Sequence, residues 1–314
     1  MKKNDYIFGG LIAVVCCLVV AILAVLIGDI GFSAEGTIKI QQAVSVDAPV
    51  AAVPQEQLGI SENVQITTQA PVQSEEGTTK PAQDSEEAAA PLTSTKEIID
   101  KYTLLVDKFK QEKPAYKKKE YQALPEENRE FSSAINSVLG IAANYMVSEE
   151  DCEELVREAG AEEILYDMPI HGVEKGCTLT DYDAVAWAKC EDLGDGTYKI
   201  SFSLKEEYNA EPTPADTLVA PSAHGGVMQP MAINDIMVEV DKVVAKLPGI
   251  NLNGFDLVYR DCVFSCIYDP QTDEVKSITH NIAIDITADV KVFSADIVGS
   301  ARLINDMLIY DITW

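Results

Sequence analysis

The sequence predicts an α+β domain: a long curved antiparallel β-meander packed on helices, preceded by an N-terminal transmembrane helix and a disordered linker. Three observations carry that expectation. An uncharged apolar run extends from Ile7 to Gly28. The stretch from Ser33 to Thr95 holds no aromatic residue and is broken by prolines. From Lys276 to Val292 apolar and polar residues alternate, the period of a strand with one dry and one wet face.

The apolar run has 22 residues, enough for a helix to cross a hydrocarbon core ~30 Å thick. Ile7, Leu11, Val15, Leu18, Ile22 and Leu26 recur along it as the anchor residues. Lys2 and Lys3 precede the run, and Asp29 and Glu35 follow it, so the N-terminus is expected in the cytoplasm and the body outside. Gly31-Phe32-Ser33-Ala34 offers a cleavage site, which leaves a removed secretory signal as the alternative. Either way the body is exported. Three parts follow: an anchor over 1–32, a linker over 33–93 and an extracellular domain over 94–314.

The linker is rich in Ala, Gln, Glu, Ser, Thr and Pro, and cannot bury enough apolar surface to offset its ordering entropy. Formal net charge is −27, and most of the acidic excess lies after residue 119. Such a body repels nucleic acid and anionic membrane surfaces. Residues 96–119 are the exception, with eight basic and four acidic side chains. Lys108, Lys110, Lys113, Lys117, Lys118 and Lys119 form a candidate contact for an anionic partner. The alternative reading is a basic helix end and loop lying against the protein's own acids.

Ser94-Thr-Lys-Glu97 fits a capping box, and Ile98, Tyr102, Leu105 and Phe109 follow at helical spacing. Pro114 and the lysine run end that helix. A second helix is expected from about Glu127 to Met146, a short third from Ser148 to Gly160, and a fourth from Ile233 to Leu247. Val185–Glu191 and Tyr198–Leu204 read as a hairpin turned by Asp192–Gly196. Strands return over Phe255–Tyr268, followed by a turn at Asp269–Asp273. The Lys276–Val292 strand is about twice the usual length. Its phase slips at Phe293–Ala295, as a turn or bulge requires. A last strand is expected from Leu308 to Trp314.

No catalytic, cofactor-binding or metal-ligating set is expected. His171, His224 and His280 are far apart in sequence and lack a spacing recognisable as a triad or metal site. His280 is placed on the dry face, where one hydrogen bond would satisfy it. Outside the apolar run the cysteines are Cys152, Cys177, Cys190, Cys262 and Cys266, an odd set with no Cys-x-x-Cys. Cys177 with Cys190 is the most plausible pair, and free thiols are the main expectation. Asp181, Asp183, Asp192 and Asp195 match turn chemistry better than a calcium loop.

Lys96–Tyr116, Asp192–Leu204, Asp269–Ile278 and Tyr310–Trp314 together resemble an uncharacterised group of exported, membrane-anchored proteins of anaerobic Gram-positive bacteria. The resemblance implies cellular location and nothing catalytic. The function expected is a tethered, non-catalytic module that binds a lipid, another amphiphile or an envelope component. Ile278, His280, Ile282, Ile284 and Ile286 are its candidate ligand-facing residues. A structural or protein–protein role in the envelope is the alternative, and a hydrolase without a recognisable motif comes third.

Overall fold

Ser94 closes the capping box expected of it. Its hydroxyl accepts from the Glu97 amide at 3.2 Å, and the Glu97 carboxylate accepts from the Ser94 amide at 3.2 Å. From that cap the first helix, α1, runs over Thr95–Glu112 and stops at Lys113, which adopts the left-handed conformation with φ 49°. Ile98, Ile99, Tyr102, Leu105, Val106 and Phe109 form its buried stripe. The computed structural model describes residues 91–125, 129–130, 148–244, 250–292 and 295–314, all within one compact unit. The expected anchor and most of the linker lie outside the described residues. Among the described residues no helix is long and apolar enough to cross a membrane.

The strands are β1 (Ala115–Ala123), β2 (Arg129–Glu130), β3 (Leu155–Arg157), β4 (Val185–Asp192), β5 (Tyr198–Leu204), β6 (Glu207–Tyr208), β7 (Ile250–Tyr259), β8 (Val263–Tyr268), β9 (Val275–Val292) and β10 (Ala295–Thr313). Two further helices are the four-residue α2 (Ile164–Asp167) and α3 (Ile233–Val244). All the strands join one antiparallel sheet, whose main path runs β3-β1-β10-β9-β8-β5-β4. The coarse α+β expectation therefore holds as a large antiparallel sheet with few helices.

Alternation dictates the centre. β9 is a single 18-residue strand, paired with β10 from Val292↔Ala295 to Ile278↔Ile309. Its other edge is shared end to end by β7 and β8. Tyr259 faces Ile284 and Val263 faces Asn281, so the three residues that link β7 to β8 oppose two on β9. This is a bulge, with Asp261 at φ 57° and the Arg260 amide bonded to the Ala283 carbonyl. The β4–β5 hairpin turns at Asp192–Gly196 as expected, with Gly194 and Gly196 at positive φ.

Four expectations are corrected. The lysine run is not a loop: Ala115–Ala123 is β1, buried between β10 and β3. Ser148–Gly160 is not a helix. The Ser148 hydroxyl caps the Asp151 amide, but the chain then extends into β3 because β1 offers an unpaired edge. The last strand does not begin at Leu308, since β10 continues unbroken through Ile304–Met307. The strands also do not form a simple meander, because β1 and β3 add to the far side of β10. The helix expected at about Glu127–Met146 lies outside the described residues except at Arg129–Glu130, which form β2 against Ser300 and Ala301.

Candidate functional site

The even residues of β9 point into the core. Ile278, His280, Ile282, Ile284 and Ile286 are all buried, none more than 6% exposed. Helix α1 packs over the first of them. Tyr102 Oη lies 2.8 Å from His280 Nε2, and the Tyr102 ring meets Phe202 edge-on at 4.9 Å. Burial, with the charge of Lys118 a smaller cause, pushes the His280 imidazole down to about 3, so the ring is neutral and its hydrogen bond is internal. The predicted ligand-facing residues are thus packed side chains.

The candidate anionic-partner lysines are spent mostly on the protein itself. Lys110 is fully buried, and its ammonium donates to the carbonyls of Pro169, Ile170 and Lys175 at 2.8, 2.7 and 3.0 Å. Burial lowers it to about 7 against the opposing charge of Asp107. Lys118 donates to the Asp167 carbonyl and pairs with Glu120 at 2.9 Å. Lys113 pairs with Glu162, and Lys117 lies between Glu154 and Asp311. Lys108 reaches the Thr272 carbonyl and lies over the Trp314 ring. Lys119 is exposed.

Around Lys118 the inner face of β1 turns polar. Asp167 at the end of α2 is buried, receives Arg157 Nε at 2.5 Å and Nη2 at 3.1 Å, and accepts from the Tyr116 hydroxyl at 2.8 Å. Burial opposes its ionisation, but these donors and Lys118 outweigh it and hold the carboxyl below the usual range. His171 lies nearby with its ring 6.2 Å from Tyr166, and burial followed by repulsion from Lys118 and Lys110 lowers it to about 4.

The third histidine marks a different feature. Glu207 begins β6 and accepts three bonds: from the Ala223 amide at 3.0 Å, the His224 amide at 2.8 Å and His224 Nδ1 at 2.8 Å. An ionised carboxylate can only accept, so in the bond to Glu207 it is His224 Nδ1 that carries the proton. Burial opposes the Glu207 charge, but the His224 ring and the two amides win and lower its pKa. His224 is fully buried against Tyr259, and its Nε2 has no partner among the described residues. The turn needs its glycines: a Cβ on Gly225 would lie 1.9 Å from the Glu211 carbonyl oxygen.

Beside this pair opens a cleft of about 390 Å³. Extended residues Thr178–Asp181 form one wall, Lys205–Glu207 another, and Ala220–Ala223 the third, with Ala184 at its end. Ser222 stitches the third wall in place. Its hydroxyl donates to the Glu211 carbonyl at 2.9 Å and accepts from the amides of Glu211 and Gly225 at 3.1 and 3.0 Å. Thr178 fixes the first wall by donating its amide to the Gly226 carbonyl at 2.7 Å. The cleft offers hydroxyls, an amine, carboxylates and backbone groups on a scaffold that is already bonded.

Sequence reasoning placed His224-Gly225-Gly226 in a loop but not the cleft, whose walls come from three separated segments. The three histidines have different partners and do not converge. All five cysteines among the described residues are free thiols, so Cys177 and Cys190 are not joined. No group of three or more potential metal ligands occurs among the described residues. No protein-family model, curated protein or solved structure matches the chain.

Proposed function

We propose that this chain is a single-pass, membrane-tethered extracellular binding module, without catalysis, whose ligand site is the cleft between Thr178 and Ala223. The apolar run at 7–28 and its flanking Lys2 and Lys3 support the tether and its direction. One observation carries the choice of site: a preformed cleft of about 390 Å³ with a polar, internally braced wall. That volume suits a ligand of a short peptide's or disaccharide's size. The lining favours a polar envelope component over an amphiphile, whose expected place on β9 is occupied by α1 and the core.

Native mass spectrometry of the protein released mildly from its own membranes tests this reading. The expected result is a bound species on the order of a few hundred daltons. Ala220→Trp, which fills the cleft, loses that species. A wild-type protein that carries no ligand, or a variant that carries the same one, contradicts the proposal.

A further inference from the structure

Among the described residues the sheet ends on one side at β4, an eight-residue strand with no strand paired beyond it. An open edge is a template for another strand unless charge or a bulge defends it. The opposite end is defended: β3 has three residues and stands between Glu153, Glu154 and Glu158. β4 has a register shift against β5 between Val185 and Trp187, but beyond it runs regularly to Asp192 and displays Trp187 at 43% exposure, with Leu193 just past its end at 44%. Lys189 and Glu191 lie between them, half-exposed and paired with each other at 3.0 Å.

The hairpin fixes which backbone groups face that edge. The Leu193 amide bonds to the Thr197 carbonyl at 3.0 Å, and the register continues Asp192↔Tyr198, Glu191↔Lys199, Cys190↔Ile200. Bonded and non-bonded pairs alternate in an antiparallel ladder. Glu191, Lys189 and Trp187 therefore spend their backbone groups on β5. Asp192, Cys190 and Ala188 turn theirs outward.

We propose that β4 is a self-association edge, pairing antiparallel with β4 of a second copy of this chain about a two-fold axis at Cys190. In that register Cys190 opposes Cys190 of the second copy and Ala188 opposes its Asp192, so every outward backbone group meets another. The intervening pairs are then Lys189 with Glu191 of the second copy, and Trp187 with its Leu193, each formed twice. Those pairs are the non-bonded kind, whose side chains approach most closely. Sliding by one ladder step puts Lys189 against Lys189, which the charges reject. The charge and apolar complementarity thus select one register. The interface is small and the association correspondingly weak.

The test uses the full chain in its own membranes and copper–phenanthroline oxidation as the probe. Cα atoms across a bonded antiparallel pair are ~5.5 Å apart, within disulfide reach. Wild-type protein is expected to crosslink to a dimer, and Cys190→Ser to abolish the dimer. Lys189→Glu turns both attractive pairs repulsive and slows crosslinking roughly tenfold or more. Adding Glu191→Lys to it restores the rate. The proposal is overturned by a wild type that does not crosslink, or by a dimer that survives Cys190→Ser. A Lys189→Glu rate equal to wild type, or no recovery in the double variant, overturns it equally. Lys189 and Glu191 are surface residues, so these variants keep their fold.

Discussion

Burial of His280 beside Tyr102 is one determinant of how the domain responds to acid. The unfolded chain protonates this imidazole near its ordinary 6.5, while the folded chain resists until about 3. Folding is therefore favoured above pH 6.5, and that advantage is lost as pH falls from 6.5 towards 3. A pH of 4.5 lies about two units below the unfolded imidazole's value, so the contribution to the loss there is roughly 2.7 kcal/mol. Tyr102→Phe with His280→Leu removes both partners together. Apolar replacement of a whole buried pair is nearly neutral, so stability at pH 7.5 should change by less than about 1 kcal/mol. His280→Leu alone leaves the Tyr102 hydroxyl without its partner and costs about 1–3 kcal/mol. Urea titrations at pH 7.5 and 4.5 measure this. Trp314 is a suitable probe, since it packs 6.1 Å from Phe109 and donates to the Val275 carbonyl. The drop between the two pH values should be smaller in the double variant by about 2–3 kcal/mol. An equal drop in the two proteins refutes the argument.

Three further outcomes follow from the geometry. Ser94→Ala removes the helix cap and should lower stability by about 1 kcal/mol in the same titration. Arg157→Ala leaves the Asp167 carboxylate buried without its bidentate partner, for a loss of roughly 3 kcal/mol at pH 7. Because the folded Asp167 pKa is depressed, that difference should shrink as pH falls below the ordinary carboxylate range, which urea midpoints at low pH would show. Gly225→Ala forces a Cβ onto the Glu211 carbonyl oxygen, so limited proteolysis should cut residues 211–223 faster than in the wild type.

Local signals in the sequence were reliable where local physics decides. The Ser94–Glu97 cap, the Asp192–Gly196 turn and the β9 alternation each appear as expected. β1 is hard to see in the sequence because its inward residues Lys118 and Glu120 are charged, and their pairing, with the Asp167 carbonyl brought by a distant segment, makes Lys118 tolerable there. The alternation breaks within β10 because Asn305 occupies an inward position, where it donates to Glu120. Ser148–Gly160 carries a helix start, but strand pairing with β1 overrode it. The histidine on the dry face was legible, and its single buried hydrogen bond was the expectation. The cleft was not legible, since Glu207 and Ser222 acquire meaning only when their segments meet. The Gly-Gly after His224 was the one sequence signal pointing there.

Hydrogen exchange on protein purified from its natural source, before and after small molecules are removed by dialysis, tests the proposed placement of the binding site most directly. The account predicts that protection falls on stripping at 178–184, 205–207 and 220–223, and is unchanged over Ile278–Ile286. Loss of protection over Ile278–Ile286 and 98–109, with the cleft unaffected, would contradict it.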